Sequence, residues 1–174
     1  TVETLLNDLS KSSKKDWKIA ILRYFNPIGA HYSGLLGENP LQKPNNIFPI
    51  IINAAYENKP MKVFGKDWST HDGTCIRDYI HVVDLANVHV KALNYLIKNQ
   101  RELISLNIGT GKGISVLDLI NTFQETNNVE VPFVFDKRRA GDLGRLVADN
   151  SKAKNILNWY PQNCLEEMCL NGWK

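Results

Sequence analysis

The stretch Lys18-Ile19-Ala20-Ile21-Leu22-Arg23-Tyr24-Phe25-Asn26-Pro27 decides how this chain is read. Its first half is an unbroken apolar run flanked by a lysine and an arginine. It lacks the polar–apolar alternation of a half-exposed strand. It therefore predicts a strand over Lys18–Arg23 that is covered on both faces, as in a parallel sheet. Pro27 keeps Asn26 out of the helical region and extends it. Asn26 then stands at the carboxyl end of a parallel strand, where open α/β sheets bind ligands. Its amide offers donors and an acceptor, which suits sugar hydroxyls or a phosphate oxygen. The plainer alternative is an Asx-type turn residue.

Upstream, Val2, Leu5, Leu6 and Leu9 follow the helical period with no N-cap before them, so the chain reads as a fragment that begins in mid-helix at Thr1. The helix is expected to end near Ser10–Ser13, with Lys14-Lys15 as its solvated end rather than a targeting signal. Downstream, Phe25–Asn46 is rich in Gly, Pro and Asn, and a loop of that length is usually functional. Ile47, Ile50, Ile51, Ala54 and Ala55 mark a helix with Pro49 in its first turn. Lys62–Phe64 is a short strand, residues 65–76 are turn-rich, and Arg77–His81 is extended. Asp84 is expected to open a helix carrying Leu85, Val88, Ala92, Leu93 and Leu96. Ser105–Ile108 is a strand, and Ser115-x-x-Asp118 is a capping box before Leu119, Ile120 and Phe123. A strand over Pro132–Phe135, a basic loop over 136–148 and one or two short helices from Ser151 complete the chain. Helices alternating with short strands mean α/β.

The 174 residues are 43% hydrophobic and 22% charged, with a formal charge of +3. That balance is ordinary for a globular protein and too small for a nucleic-acid binder. No apolar run is long enough to span a bilayer. Cys75, Cys164 and Cys169 form no C-x-x-C, and the four histidines are not at zinc spacing. The expectation is a reduced, intracellular protein without structural metal, its thiols serving as small buried hydrophobes. Gly109-Thr110-Gly111-Lys112-Gly113 imitates a G-x-G-x-x-G turn, but its third glycine comes one residue early. It reads as a tight strand-to-helix turn, with Lys112 placed to face an anion. His81 and His89 receive no role.

Several segments carry binding chemistry. One of Asn45 and Asn46 is needed as an N-cap, which leaves the other amide and the leading N–H groups for a phosphate. Arg77, Arg138 and Arg139 place planar, two-pronged donors on two loop-like segments, as a diphosphate requires. Each alone would read as half of a salt bridge to a nearby aspartate. Phe64 either stacks on a base or belongs to the core.

Taken in order, Leu22–Pro27 with Gly29-Ala30-His31, Pro44-Asn45-Asn46, Asp72-Gly73-Thr74, Arg77–Val82 with Asp84-Leu85-Ala86, Asn107–Gly111 and Arg138-Arg139-x-Gly141-Asp142 resemble the UDP-glucose 4-epimerases, within the extended short-chain dehydrogenase/reductases. The resemblance runs over nearly the whole chain. It implies an α/β fold with the end of an NAD-binding Rossmann domain in residues 1–25. It also implies a smaller mixed α/β domain over 26–174 for the nucleotide sugar, with residues near 79–99 packing back on the Rossmann part. Asn26 resembles the contact near the sugar's phosphates, and Asn46 and Ile47 the diphosphate and uridine contacts. Lys62 and Phe64 resemble the uracil-binding strand, Arg77 and Arg139 the diphosphate clamps, and Asp142 the ribose holder. Tyr24 and Phe25 resemble the lining of the nicotinamide site. Leu146 resembles a hexose-pocket residue whose bulk favours UDP-glucose and UDP-galactose over N-acetylated sugars.

The implied reaction is NAD-dependent oxidation at C4, rotation of the keto-sugar and re-reduction, in a cytoplasmic homodimer. The family's glycine-rich cofactor turn, its catalytic Ser or Thr and its Tyr-x-x-x-Lys pair have no match here. The resemblance places them upstream of Thr1, the Tyr-x-x-x-Lys pair on the helix that Thr1 continues. No catalytic residue is therefore assigned, and the isolated chain is expected to be inactive. A nucleotide-sugar dehydratase, a decarboxylase or a non-catalytic UDP-sugar-binding module are the alternatives.

Overall fold

The computed structural model describes residues 1–12, 17–42, 44–99 and 103–174. Ser13, Lys14 and Lys15, part of the expected helix end, lie outside them. Helix α1 (Val2–Ser12) precedes strand β1 (Ile19–Tyr24), whose first residues are the apolar run quoted above. Strand β2 (Asn26–Ile28) follows after one residue. Next come α2 (Ile47–Glu57), β3 (Met61–Phe64), β4 (Ile76–Arg77), β5 (Tyr79–His81) and α3 (Val82–Lys98). The remainder is β6 (Leu103–Ile108), β7 (Ile114–Ser115), α4 (Val116–Asn127), β8 (Phe133–Asp136), β9 (Arg145–Leu146), α5 (Ser151–Leu157) and α6 (Leu165–Trp173).

Strand pairing is mostly parallel and long-range. β1 pairs with β6, with Ile21 opposite Ser105, β2 with β5, and β3 with β8. β4 lies between β7, antiparallel, and β9, parallel. Two hydrophobic cores result among the described residues. Ile80, Leu85, Val88, Ala92, Leu96, Ile104, Leu106, Ile108, Ala153, Leu157 and Trp159 form one. Ile28, Phe48, Ile51, Met61, Val63, Tyr79, Leu119, Ile120, Phe123 and Met168 belong to the other. Tyr79 and Ile80 are neighbours on β5 yet serve different cores, because successive strand side chains point to opposite faces. β5 is thus the wall between the cores, and the cavity described below lies on its Tyr79 side.

α1 starts at Val2, directly behind Thr1, which already joins its hydrogen bonding. The Thr1 carbonyl accepts from Leu5 N–H at 3.1 Å, and its hydroxyl bonds the Thr4 hydroxyl at 2.9 Å. Several expectations need correction. The long loop does not begin at Phe25, because Asn26 N–H donates to Asp78 O at 3.0 Å and starts β2. β1 is not covered on both faces within this chain: Ile21 is buried, while Arg23 and Tyr24 are exposed. Asp84 does not open α3. That helix starts at Val82, capped by His81, whose Nδ1 accepts from Val83 N–H at 3.0 Å. The Asp84 carboxylate instead accepts from Gln162 and Asn163 N–H at 3.1 and 3.0 Å and anchors the segment before α6. The 136–148 segment contains β9. Cys164 is exposed, unlike buried Cys75 and Cys169. No helix among the described residues is long and apolar enough to cross a membrane.

Candidate functional site

A cavity of about 310 Å³ opens where β2, the start of α2, β3 and the β4–β5 segment meet. Its wall includes Phe25, Asn26, Asn45, Asn46, Ile47, Lys62, Phe64, Cys75, Arg77, Tyr79, Arg139 and Asp142. Most of the residues singled out in the sequence therefore come together, from segments far apart along the chain. Tyr24 and Leu146 do not join them. The Tyr24 hydroxyl bonds His89 Nε2 at 2.7 Å, and His89 Nδ1 bonds Leu85 O at 2.7 Å. Leu146 pairs with Arg77 across β9 and β4 but is 45% exposed and outside the cavity lining. Thr1 is also outside it: the residue is exposed, and its hydroxyl is engaged with Thr4 at the start of α1.

Asn46 holds the N-cap position of α2 with extended backbone, but its side chain makes no capping bond. Its amide and the positive end of α2 are both available at the cavity wall. Arg77 is the best-fixed cation. Its guanidinium donates to Ile76 O at 2.9 Å, to Leu143 O at 2.8 Å and to Asp142 Oδ1 at 3.3 Å. Its side chain is 16% exposed, so these bonds fix it where water competes weakly.

Arg77 does not pair with adjacent Asp78. Fully buried Asp78 accepts from Thr110 N–H at 2.7 Å, Thr110 Oγ1 at 2.6 Å, Gly111 N–H at 2.9 Å and Ala148 N–H at 3.1 Å. This explains the Gly109-Thr110-Gly111 turn without a nucleotide. A Cβ on Gly109 would stand 2.6 Å from Asp78 Oδ2, so only glycine admits the carboxylate. Lys112 does not line the cavity.

Arg139 lays its guanidinium carbon 3.9 Å over the Phe64 ring and has no ion pair among the described residues. Lys62 Nζ is 2.8 Å from Asp136 Oδ2, and this hydrogen bond holds the Asp136 carboxyl below the usual carboxylate range. Lys62, Arg77 and Arg139 line the cavity against one carboxylate, Asp142. The arrangement suits a multivalent anion with an aromatic or sugar group attached.

Cys75, Tyr79 and Val116 were not singled out in the sequence. Burial pushes the Cys75 thiol and the Tyr79 phenol up, so both stay protonated at neutral pH and act as wall rather than nucleophile. Their signal was present: Cys75, Arg77 and Tyr79 share one face by the two-residue period of extended chain. Below the wall, Asp72 accepts from Thr74 N–H and Oγ1, both at 2.8 Å, and from Ser115 Oγ. Ser115 in turn caps α4 through Asp118 N–H at 2.9 Å, as the expected capping box requires. His71 Nε2 stands 3.0 Å from Asp118, but the Asp72 beside it is already committed to these donors.

The sequence profile of the GDP-mannose 4,6 dehydratase family matches residues 5–171. The chain belongs to this family. Among its relatives, the UDP-glucose 4-epimerase of Bacillus subtilis (strain 168) is 45% identical over 174 residues, covering 99% of this chain and 51% of that protein. A UDP-glucose 4-epimerase structure from Stenotrophomonas maltophila, with bound NAD and formylated UDP-arabinopyranose, is 48% identical, with a TM-score of 0.94 over 99% of this chain and 51% of that one. The Bifidobacterium longum enzyme in complex with NAD+ and UDP is 39% identical, with a TM-score of 0.91 over 98% and 50%. The chain spans about half the length of the curated relatives it matches. Its fold is that of the extended short-chain dehydrogenase/reductase epimerases, over the half this family member covers.

Proposed function

We propose that this chain is the nucleotide-sugar-binding, C-terminal half of an NAD-dependent UDP-glucose 4-epimerase. The observation that carries the reading is the convergence of Asn26, Asn46, Phe64, Arg77, Arg139 and Asp142 on one cavity. The relatives at 45% and 48% identity point the same way. Arg77 and Arg139 grip the diphosphate, with Asn46 and the α2 N-terminus beside them. The Lys62–Phe64 strand receives uracil, and Asp142 the ribose hydroxyls. Arg139 already covers one Phe64 face, so a base entering there must displace it. An exposed cation–π contact is worth only about 0.5–1 kcal/mol, which makes that exchange easy.

Phe25 fits a nicotinamide neighbour. Its N–H donates to Ile108 O at 3.0 Å, which pins it at the carboxyl end of the β1–β6 pair beside Asn26. Phe25 would help to hold NAD there, and the cofactor would supply the hydride chemistry at C4 of the hexose. Tyr24, whose hydroxyl bonds His89, remains a proposed neighbour of the same cofactor. Tight charge-assisted contacts to the diphosphate, with few to the hexose, let the keto-sugar turn while the uridine end stays fixed. The two cores match a division in which β1, β6 and α3 pack with the Rossmann half, and we place the enzyme in the cytoplasm as a homodimer.

The test is conversion of UDP-galactose to UDP-glucose by the full-length protein with NAD. Epimerisation is expected there and none from the isolated 174 residues. Full-length protein that converts neither sugar sinks the reading, and a 4-keto-6-deoxy product would move the assignment to a dehydratase.

A further inference from the structure

The segment carrying Arg139 and Asp142 has little regular structure of its own: β8 ends at Asp136, and β9 spans only Arg145–Leu146. Arg77 holds its Asp142 side, through Asp142 Oδ1 and Leu143 O, and something else must set where Arg139 stands. The packing around Trp68, in the turn-rich stretch before β4, supplies it. Arg138, next to Arg139, lays its guanidinium carbon 4.0 Å over the Trp68 ring. It is held there by Asp67, through Nε to Oδ1 at 2.8 Å and Nη2 to the backbone oxygen at 2.5 Å. On the same ring rests Gly144, where a Cβ would come within 2.9 Å of Cε3. Gly65, at φ +81°, closes the indole edge, and a Cβ there would meet Nε1 at 2.5 Å.

Trp68 thus touches the loop at Arg138 and Gly144, on both sides of Arg139 and Asp142. Its own backbone is fixed, since Trp68 N–H donates to Gly73 O at 3.0 Å and Thr70 N–H to Trp68 O at 2.8 Å. Yet Trp68 does not line the cavity.

We infer that Trp68 is a positioning residue for the anion grip: it props the 138–144 segment so that Arg139 faces the cavity before ligand arrives. The inference rests on the proposed uridine-diphosphate reading and adds the element that presets it. Without the indole, Asp142 keeps its Arg77 bond, while Arg139 loses its neighbour's anchor and must be ordered on binding, a cost that falls on the diphosphate contact. The indole N–H is buried and unpartnered among the described residues, so replacing the ring by phenylalanine breaks no hydrogen bond.

The experiment titrates UDP and uridine into the full-length protein, as wild type, Trp68→Ala and Trp68→Phe. Trp68→Ala is expected to weaken UDP by about tenfold while uridine changes by less than about twofold, because loop ordering is charged to the diphosphate end. Trp68→Phe, which still offers Arg138 an aromatic face, should stay within about threefold of wild type for UDP. The inference is overturned if Trp68→Ala keeps wild-type UDP affinity, or if UDP and uridine weaken by the same factor. Should Trp68→Ala collapse, Trp68→Leu, which fills the space but removes the aromatic face from Arg138, decides: a folded protein with wild-type UDP affinity overturns the inference, and a selective loss of UDP supports it. Wild type that binds UDP no better than uridine would instead refute the functional reading itself.

Discussion

Removing the Asp78 carboxylate should unfold the junction beneath the cavity before it changes any ligand contact. Asp78 is fully buried and accepts four hydrogen bonds, three from backbone N–H groups and one from a hydroxyl. Asp78→Ala orphans those donors unequally. Ala148 is buried and loses its partner outright, Thr110 is half-buried, and Gly111 is exposed enough to find water. At about 1–3 kcal/mol for each buried orphaned donor, with Gly111 discounted, the loss comes to about 3–4 kcal/mol. Asp78→Asn keeps an acceptor for Thr110 but turns an NH₂ group toward the Gly111 and Ala148 donors, so about half of that loss is expected. Urea unfolding of the full-length variants against wild type measures both, read as a change in midpoint at constant slope. An Asp78→Ala protein within about 1 kcal/mol of wild type would refute the argument that this carboxylate, rather than a ligand, explains the glycine-rich turn.

Other outcomes follow from the same contacts. His81 caps α3 as an acceptor, and burial holds its pKa below the ordinary 6.5. Its stabilising contribution is present above about pH 6.5 and is lost as pH falls through the lowered value. His81→Asn, which can still cap, should flatten the stability-versus-pH curve there, and an unchanged slope would contradict the assignment. Asp72 is partly desolvated, yet the Ser115 and Thr74 donors bring its pKa below 3.8. It stabilises above about pH 4 and ceases to in stronger acid, so Asp72→Asn should unfold with a weaker acid dependence. Full-length Leu146→Ser should gain turnover of an N-acetylated UDP-sugar. No gain would remove Leu146 from the hexose pocket, which its exposure in this chain already leaves open.

The elements legible in the sequence were those fixed by local rules. The apolar run of β1, the periodic faces of α2 and α3, and the Ser115–Asp118 box all declared themselves. Of the strands of two or three residues, β5 and the end of β4 fell within the expected extended stretch Arg77–His81, and the others did not declare themselves. β2, β4 and β9 exist only because distant partners meet them, and no residue within them carries a periodic signal of that length. Asp84 looked like a helix opener because acidic residues favour first turns, but its carboxylate serves residues 162 and 163, far along the chain. The binding residues named from the ordered motifs mostly converge, since they sit at strand ends and helix starts. Tyr24 stands outside the cavity, its hydroxyl bonded to His89. The Trp68 prop was not legible at all: it depends on Gly65 and Gly144 being brought to the same ring.

The most direct test of the account is a crystal structure of the full-length protein with UDP. The diphosphate should lie between Arg77 and Arg139 beside the start of α2, with the base at the Lys62–Phe64 strand and the ribose near Asp142. UDP bound elsewhere, with this cavity unfilled at saturating ligand, would contradict it.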